Sequence, residues 1–249
     1  RQALAAIKEY GPGLISMQPA RPGAVGAAQA HPGRRGLFIE LRWDMDLELL
    51  ARDAGHGGAA ARLADLQLRV DARCHVDRRA AEVLESPEVQ LAVLETARGA
   101  ATGVGLAFDA CEVTVCTNVS AEHIGLRGIE TVADMAELKE FIVQRARGAV
   151  VLNADNAYSA GMLPRLAGRQ AWLVSAERTG ADLLAEQGDG VNVCVAERDG
   201  DTDWIKLYTA GRIVPVMPVR DIPITHGGQL RYNVSNALQA TAAAFHLGA

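Results

Sequence analysis

Four short apolar runs constrain this chain more than any other feature: Leu91-Ala92-Val93-Leu94, Val113-Thr114-Val115-Cys116, Ala149-Val150-Val151-Leu152 and residues 171–174. Each is about four residues long, lacks the polar alternation of a half-exposed strand, and stops at a polar or glycine-bearing stretch. Such runs read as parallel strands buried on both faces. The expected fold class is therefore α/β, a mostly parallel sheet flanked by helices. Between 190 and 225 the texture changes. Apolar segments at 191–195, 204–208 and 213–216 are separated by Asp199-Gly200-Asp201 and Ala210-Gly211, which predicts hairpins and a small antiparallel sheet beside the parallel one.

Ligands of open α/β sheets bind beyond the carboxyl ends of the strands. There the sequence puts Glu95, then Thr117 and Asn118 with His123 five residues on, then Asn153-Ala154-Asp155-Asn156. One carboxylate and one imidazole can share a divalent cation that also carries a nucleotide. A strand-end Glu can equally be solvated, and an Asn/Asp cluster can be only a turn.

The helices follow from periodicity. Residues 132–147 predict one, with Met135, Leu138, Ile142 and Val143 at helical spacing and Lys139 on it; residues 158–166 predict a second, and residues 232–246 a long Ala-rich third. Residues 36–43 and 72–76 have strand character, and 77–85 reads as an exposed helix. Ala54-Gly55-His56-Gly57-Gly58-Ala59-Ala60 is a Gly-rich turn entering a helix. That is either a phosphate-binding loop, with backbone amides facing an anion, or a plain turn. Residues 1–35, rich in Pro, Gly and Ala, read as an irregular arm or linker before a domain at 36–249.

Composition bounds the function. A net charge of −5 offers no electrostatic case for nucleic acid or an anionic membrane. With 49% hydrophobic and 22% charged residues, the chain has the make-up of a soluble globular protein. No apolar run reaches membrane-span length. The four cysteines, Cys74, Cys111, Cys116 and Cys194, have no zinc spacing. The default location is cytoplasmic, and a start at Arg1 without Met reads as a fragment or a processed product.

The wording of three patches is more specific. Glu95-Thr96-Ala97-Arg98-Gly99, then Thr117-Asn118 through Glu122-His123-Ile124-Gly125 and Gly128-Ile129-Glu130-Thr131, then Asn233-Val234-Ser235-Asn236-Ala237-Leu238-Gln239-Ala240, resemble the central ATP-binding domain of the Mur ligase family, in its cyanophycin-synthetase-like branch. The family patterns are Asp-His at the histidine, Asn-Ala-Asp-Asp at residues 153–156 and Asn-x-x-Asn-Ala-Leu-Ala-Ala at 233–240. The resemblance implies ATP and Mg²⁺ as cofactors and an amide-forming reaction through an acyl phosphate, with an amino acid or acidic peptide as substrate.

It also implies roles for single residues. Glu95 and His123 hold the metal; Lys139 is a carbamylated lysine supporting a second cation, or else a solvated side chain. Gly55, Gly57 and Gly58 line the phosphates, Asn153 and Asp155 lie beside the nucleotide, and Asn233 and Asn236 face adenine. Asn233 is alternatively an N-cap. The family loop Gly-Thr-Asn-Gly-Lys-Thr-Thr is degenerate here, with Gly58 at the Lys position and Ala59 and Ala60 for the hydroxyl residues. The family continues into a further domain past the point where this sequence stops. These departures predict weak or no ligase turnover by the chain alone. They open an alternative, a non-catalytic Mur-like module that serves as a scaffold, a homo-oligomer or the partner subunit of an active synthetase.

Overall fold

The structure is a computed structural model that describes residues 35–40, 69–70, 84, 91–94, 96, 106, 108–122, 124–125 and 128–248. The arm at 1–35, the segments 72–76 and 77–83, the Gly-rich turn with Gly55, Gly57 and Gly58, and the metal candidates Glu95 and His123 lie outside the described residues.

Nine strands form one sheet in the order β2-β3-β1-β4-β5-β6-β7-β8-β9. They are β1 Arg35–Glu40, β2 Arg69–Val70, β3 Leu91–Leu94, β4 Cys111–Cys116, β5 Ala146–Asn153, β6 Gln170–Ser175, β7 Val191–Asp199, β8 Thr202–Thr209 and β9 Arg212–Pro218. Pairing is parallel from β2 across to β7 and antiparallel from β7 to β9. The strand order turns about β1, which sits between β3 and β4, and a crevice beyond the strand ends at such a reversal is where open α/β sheets take ligands.

The apolar runs are buried on both faces, as their lack of alternation requires. Val113, Val115, Ala149, Val151, Trp172 and Val174 pack on Val234, Ala237, Leu238 and Ala242 of the long helix α4, Arg231–His246. Cys116, Val150, Leu152 and Leu173 face the other way, onto Met135, Leu138 and Phe141 of α1, Val132–Val143. Thr114, the one polar member of its run, points to α1 and donates its hydroxyl to the Val143 carbonyl at 3.1 Å. That bond satisfies a buried polar group and one of the orphan carbonyls of the helix end together. The start of α1 is closed by a capping box between Thr131 and Asp134.

Three sequence expectations are corrected. The helix expected over 132–147 ends at Val143, because Arg145 and Ala146 are drawn into the sheet: Cys111 N–H donates to the Arg145 carbonyl at 3.1 Å and Ala146 opens β5. The helix expected over 158–166 is α2, Ala157–Ala160, followed by a separate 3₁₀ turn, Leu163–Arg165. Pro164, without an N–H, cannot carry an α-helix through that point. The antiparallel strands are not a sheet beside the parallel one but its continuation, since β7 pairs with β6 on one edge and with β8 on the other. The β8–β9 turn places both Ala210 (φ 50°) and Gly211 (φ 71°) in the left-handed region, as a tight hairpin demands.

Sequence reading assigned nothing to α3, Gly180–Gln187. Its first turn is anchored by Glu197 of β7, which accepts from Gly180 N–H at 2.5 Å and from the Tyr208 hydroxyl at 2.7 Å. Desolvation first, then the bond to the Glu197 carboxylate, pushes the Tyr208 phenol up to about 12. The unfolded chain ionises nearer the ordinary tyrosine value, so the neutral phenol favours the fold below that value, and the contribution is lost as pH rises toward 12. Urea midpoints of the native chain and Tyr208→Phe between pH 9 and 12 should therefore converge as pH rises. A native advantage that grows with pH would contradict this arrangement. No helix of the described residues is long and apolar enough to cross a membrane.

Candidate functional site

A strand buried on both faces must end, and its last carbonyls then need donors that the ladder no longer supplies. Past β4, three consecutive carbonyls are each met by a side chain. The Thr117 carbonyl accepts from Asn153 Nδ2 of β5 at 3.0 Å and from Gln239 Nε2 of α4 at 3.3 Å. The Asn118 carbonyl accepts from Lys139 Nζ of α1 at 2.6 Å. The Val119 carbonyl accepts from Asn156 Nδ2 at 2.9 Å. Asn156 also donates to Asn118 Oδ1 at 2.6 Å, while its own oxygen caps α2 by accepting from Ser159 N–H at 2.9 Å. The segment from which the chain departs toward residue 123 is thus gripped from four directions.

The ends of β5 and β6 are tied in the same manner. Asn153 Oδ1 accepts from Asp155 N–H at 3.0 Å, an Asx-type turn. The Asp155 carboxylate accepts from the Ser175 hydroxyl and from Ala176 N–H at 2.8 Å, so both of its oxygens are engaged. Ser175 is fully buried and in turn accepts from the amides of Glu177 and Arg178 at 3.0 and 2.7 Å. Lys139, Asn153 and Asp155 therefore meet at one edge of the sheet, with Asn156, Ser159 and Ser175 completing the network. Sequence reading noted Asn156 only as a departure from a pattern and did not single out the two serines; nothing local distinguishes a serine that will be buried at a strand end.

The asparagines of α4 reach the same edge by a different route. His246 closes the helix at the amino end of the sheet, with Nδ1 3.1 Å from Gln170 Oε1 at the start of β6. Gln239 meets the carboxyl end of β4. The helix thus runs against the strands, and Asn236 and Asn233 stand about 4.5 and 9 Å of helix rise further on, past the strand ends. Asn233 is not the N-cap. That position is Leu230, and Asn233 lies within the first turn, donating Nδ2 to the Ile224 carbonyl at 2.7 Å. Its Oδ1 is buried without a hydrogen-bond partner. Asn236, one helical turn on, is half-buried.

Among the described residues no group of three or more His, Cys, Asp or Glu could hold a metal ion. Burial pushes the Cys111 and Cys194 thiols well up, which leaves them as small apolar side chains.

A parallel sheet whose ends are lined with amides, a lysine and a carboxylate defines an α/β domain of the type that takes a ligand at its carboxyl edge. A crystal structure of MurF from Acinetobacter baumannii has the same fold, with a TM-score of 0.51 at 16% identity over 86% of this chain and 42% of that one. Cyanophycin synthetase of Synechocystis sp. (strain ATCC 27184 / PCC 6803 / Kazusa) is 33% identical over 168 residues, 67% of this chain and 19% of that protein. UDP-N-acetylmuramyl-tripeptide synthetase of Deinococcus radiodurans is 32% identical over 138 residues, 55% of this chain and 24% of its own. No family model matches. The chain belongs to the Mur ligase family and is cyanophycin-synthetase-like, and it spans about a fifth of the length of the curated cyanophycin synthetases it matches.

Asn156 carries one cap and two donations, so Asn156→Ala should lower unfolding free energy by about 1–3 kcal/mol. Asn156→Asp, the residue of the family pattern, keeps the cap but loses both donations and sets a carboxylate oxygen against the Val119 carbonyl and Asn118 Oδ1, so at neutral pH it should cost at least as much. Urea denaturation of the three proteins checks the order.

Proposed function

We propose that this chain is the nucleotide-facing domain of an ATP-dependent ligase that joins a carboxylate to the amine of an amino acid, with an amino acid or an acidic peptide as acceptor. The observation that carries the reading is the pair of asparagines standing past the strand ends on one face of α4. Asn233 holds a buried acceptor with no donor, and Asn236 is one turn away. An orphaned carboxamide oxygen suits the amino donor on the edge of adenine. Asn153 and Asp155, across the edge, would stand beside the nucleotide, and Lys139 would bring positive charge, or as a carbamate a carboxylate for a second cation, to the loop that leads to His123. ATP with Mg²⁺, when bound, supplies the phosphoryl group that activates the carboxylate. The side chains hold the strand ends rigid and keep charge and amide groups aimed at one place before substrate arrives. Gly55, Gly57, Gly58, Glu95 and His123 enter this reading by resemblance.

A second reading has its own observation. Gly58, Ala59 and Ala60 stand where the family pattern has Lys and hydroxyl residues, so the loop retains backbone amides but no cation for the phosphates and no hydroxyl for the metal. A non-catalytic Mur-like module, working as a scaffold or as the partner of an active synthetase, would tolerate that loss.

Calorimetry separates the two. On the ligase reading the native chain binds Mg·ATP in the micromolar range, and Asn233→Ala weakens it about tenfold, the worth of one good hydrogen bond. Binding by Gly58→Lys/Ala59→Thr but not by the native chain favours the non-catalytic module. Failure of both overturns the nucleotide reading.

A further inference from the structure

Gln239 is a position that packing alone does not explain. It lies in the middle of an Ala-rich helix, is 1% exposed, and shares that helix with Val234, Ala237, Leu238, Ala242 and Ala243 of the apolar core. The family pattern Asn-x-x-Asn-Ala-Leu-Ala-Ala has alanine at this place. A buried glutamine there loses rotamer freedom, and here it also leaves Oε1 without a partner. An alanine has neither cost. What the glutamine supplies is Nε2, which donates to the Thr117 carbonyl at 3.3 Å and contacts Ser235 Oγ at 3.1 Å. Turning the amide over would set oxygen against the Thr117 carbonyl, so the orientation is fixed by the network.

That bond spans 122 residues of sequence and joins two halves of the carboxyl edge. On one side is α4, whose first two turns present Asn233 and Asn236. On the other is the Thr117–Asn118–Val119 segment, which Lys139, Asn153 and Asn156 also hold. We infer that Gln239 is a positioning residue: it sets the Thr117 and Asn118 backbone against α4, so that the strand-end segment and the asparagine face of the helix are aligned as one unit. The consequence for nucleotide rests on the reading above: affinity for the phosphate-and-metal end of a ligand should depend on Gln239, while affinity for its base end should not.

The test has two arms on the full chain. Amide exchange of residues 117–122 is measured in the native protein, Gln239→Leu and Gln239→Glu. Protection of that segment should fall at least fivefold in Gln239→Leu with the β7–β8 hairpin unchanged. Gln239→Glu should keep the protection only while its carboxyl carries the proton that replaces the amide donor, so protection falls as pH rises. Unchanged protection in the Leu variant overturns the inference, and so does a pH-independent Glu variant. If the Leu variant does not fold, the pH profile of the Glu variant decides. In the second arm, calorimetry compares adenosine with Mg·ATP: Gln239→Leu should weaken Mg·ATP at least fivefold and adenosine less than twofold. Equal losses, or none, overturn the coupling. A native chain that binds neither ligand removes the nucleotide reading and with it the coupling, while the exchange arm still decides the positioning role.

Discussion

Everything at the candidate site depends on how β4 ends. Inside the sheet this strand is paired on both edges and buried on both faces, and Thr117 and Val119 just past its end are buried too, so little water reaches the point where the ladder stops. The carbonyls of Thr117, Asn118 and Val119 must find donors in the protein or carry a desolvation penalty of about 1–3 kcal/mol each. They find them in Asn153, Gln239, Lys139 and Asn156. The same four side chains that satisfy the backbone also place amides and a charge at the edge of the sheet where a ligand would lie. Stability and site construction are here one set of hydrogen bonds.

The two helical layers serve this edge differently. α1 lies on one face and sends Lys139 over the top of β4, while its lower end is fastened by Thr114. α4 lies on the other face, antiparallel to the strands, and meets the edge at Gln239. The antiparallel extension β7–β9 touches the edge network through the β6–β7 ladder, where Val195 of β7 stands opposite Ser175; no side chain of β8 or β9 bonds to the network among the described hydrogen bonds. Its own anchor, Glu197 between Tyr208 and the first turn of α3, stiffens the far side of the sheet. The site is therefore built from the parallel half of the sheet and its two covering helices.

Local sequence signals determined a good deal. Unalternating four-residue runs bounded by polar or glycine-bearing stretches read as buried parallel strands, and the Asp-Gly and Ala-Gly pairs mark hairpins because few residues accept positive φ. Strand ends and helical periodicity place Asn118, Lys139, Asn153 and Asp155 at the edge of the sheet or on a helix facing it, and the family followed from the three motif patches. What only the tertiary structure decided are the interactions between distant segments. Periodicity carried α1 past Val143, because the pull of β4 on Arg145 and Ala146 is a long-range pairing with no local signature. The alternative of Asn233 as a cap rested on neighbours that resemble a helix start, but Leu230 takes that position and the Asn233 side chain goes to Ile224, a partner set by the fold of the preceding turns. Gln239 looked like one more residue of an Ala-rich helix. Its role exists only because α4 crosses the end of β4, and a carbonyl 122 residues away needs a donor at that height.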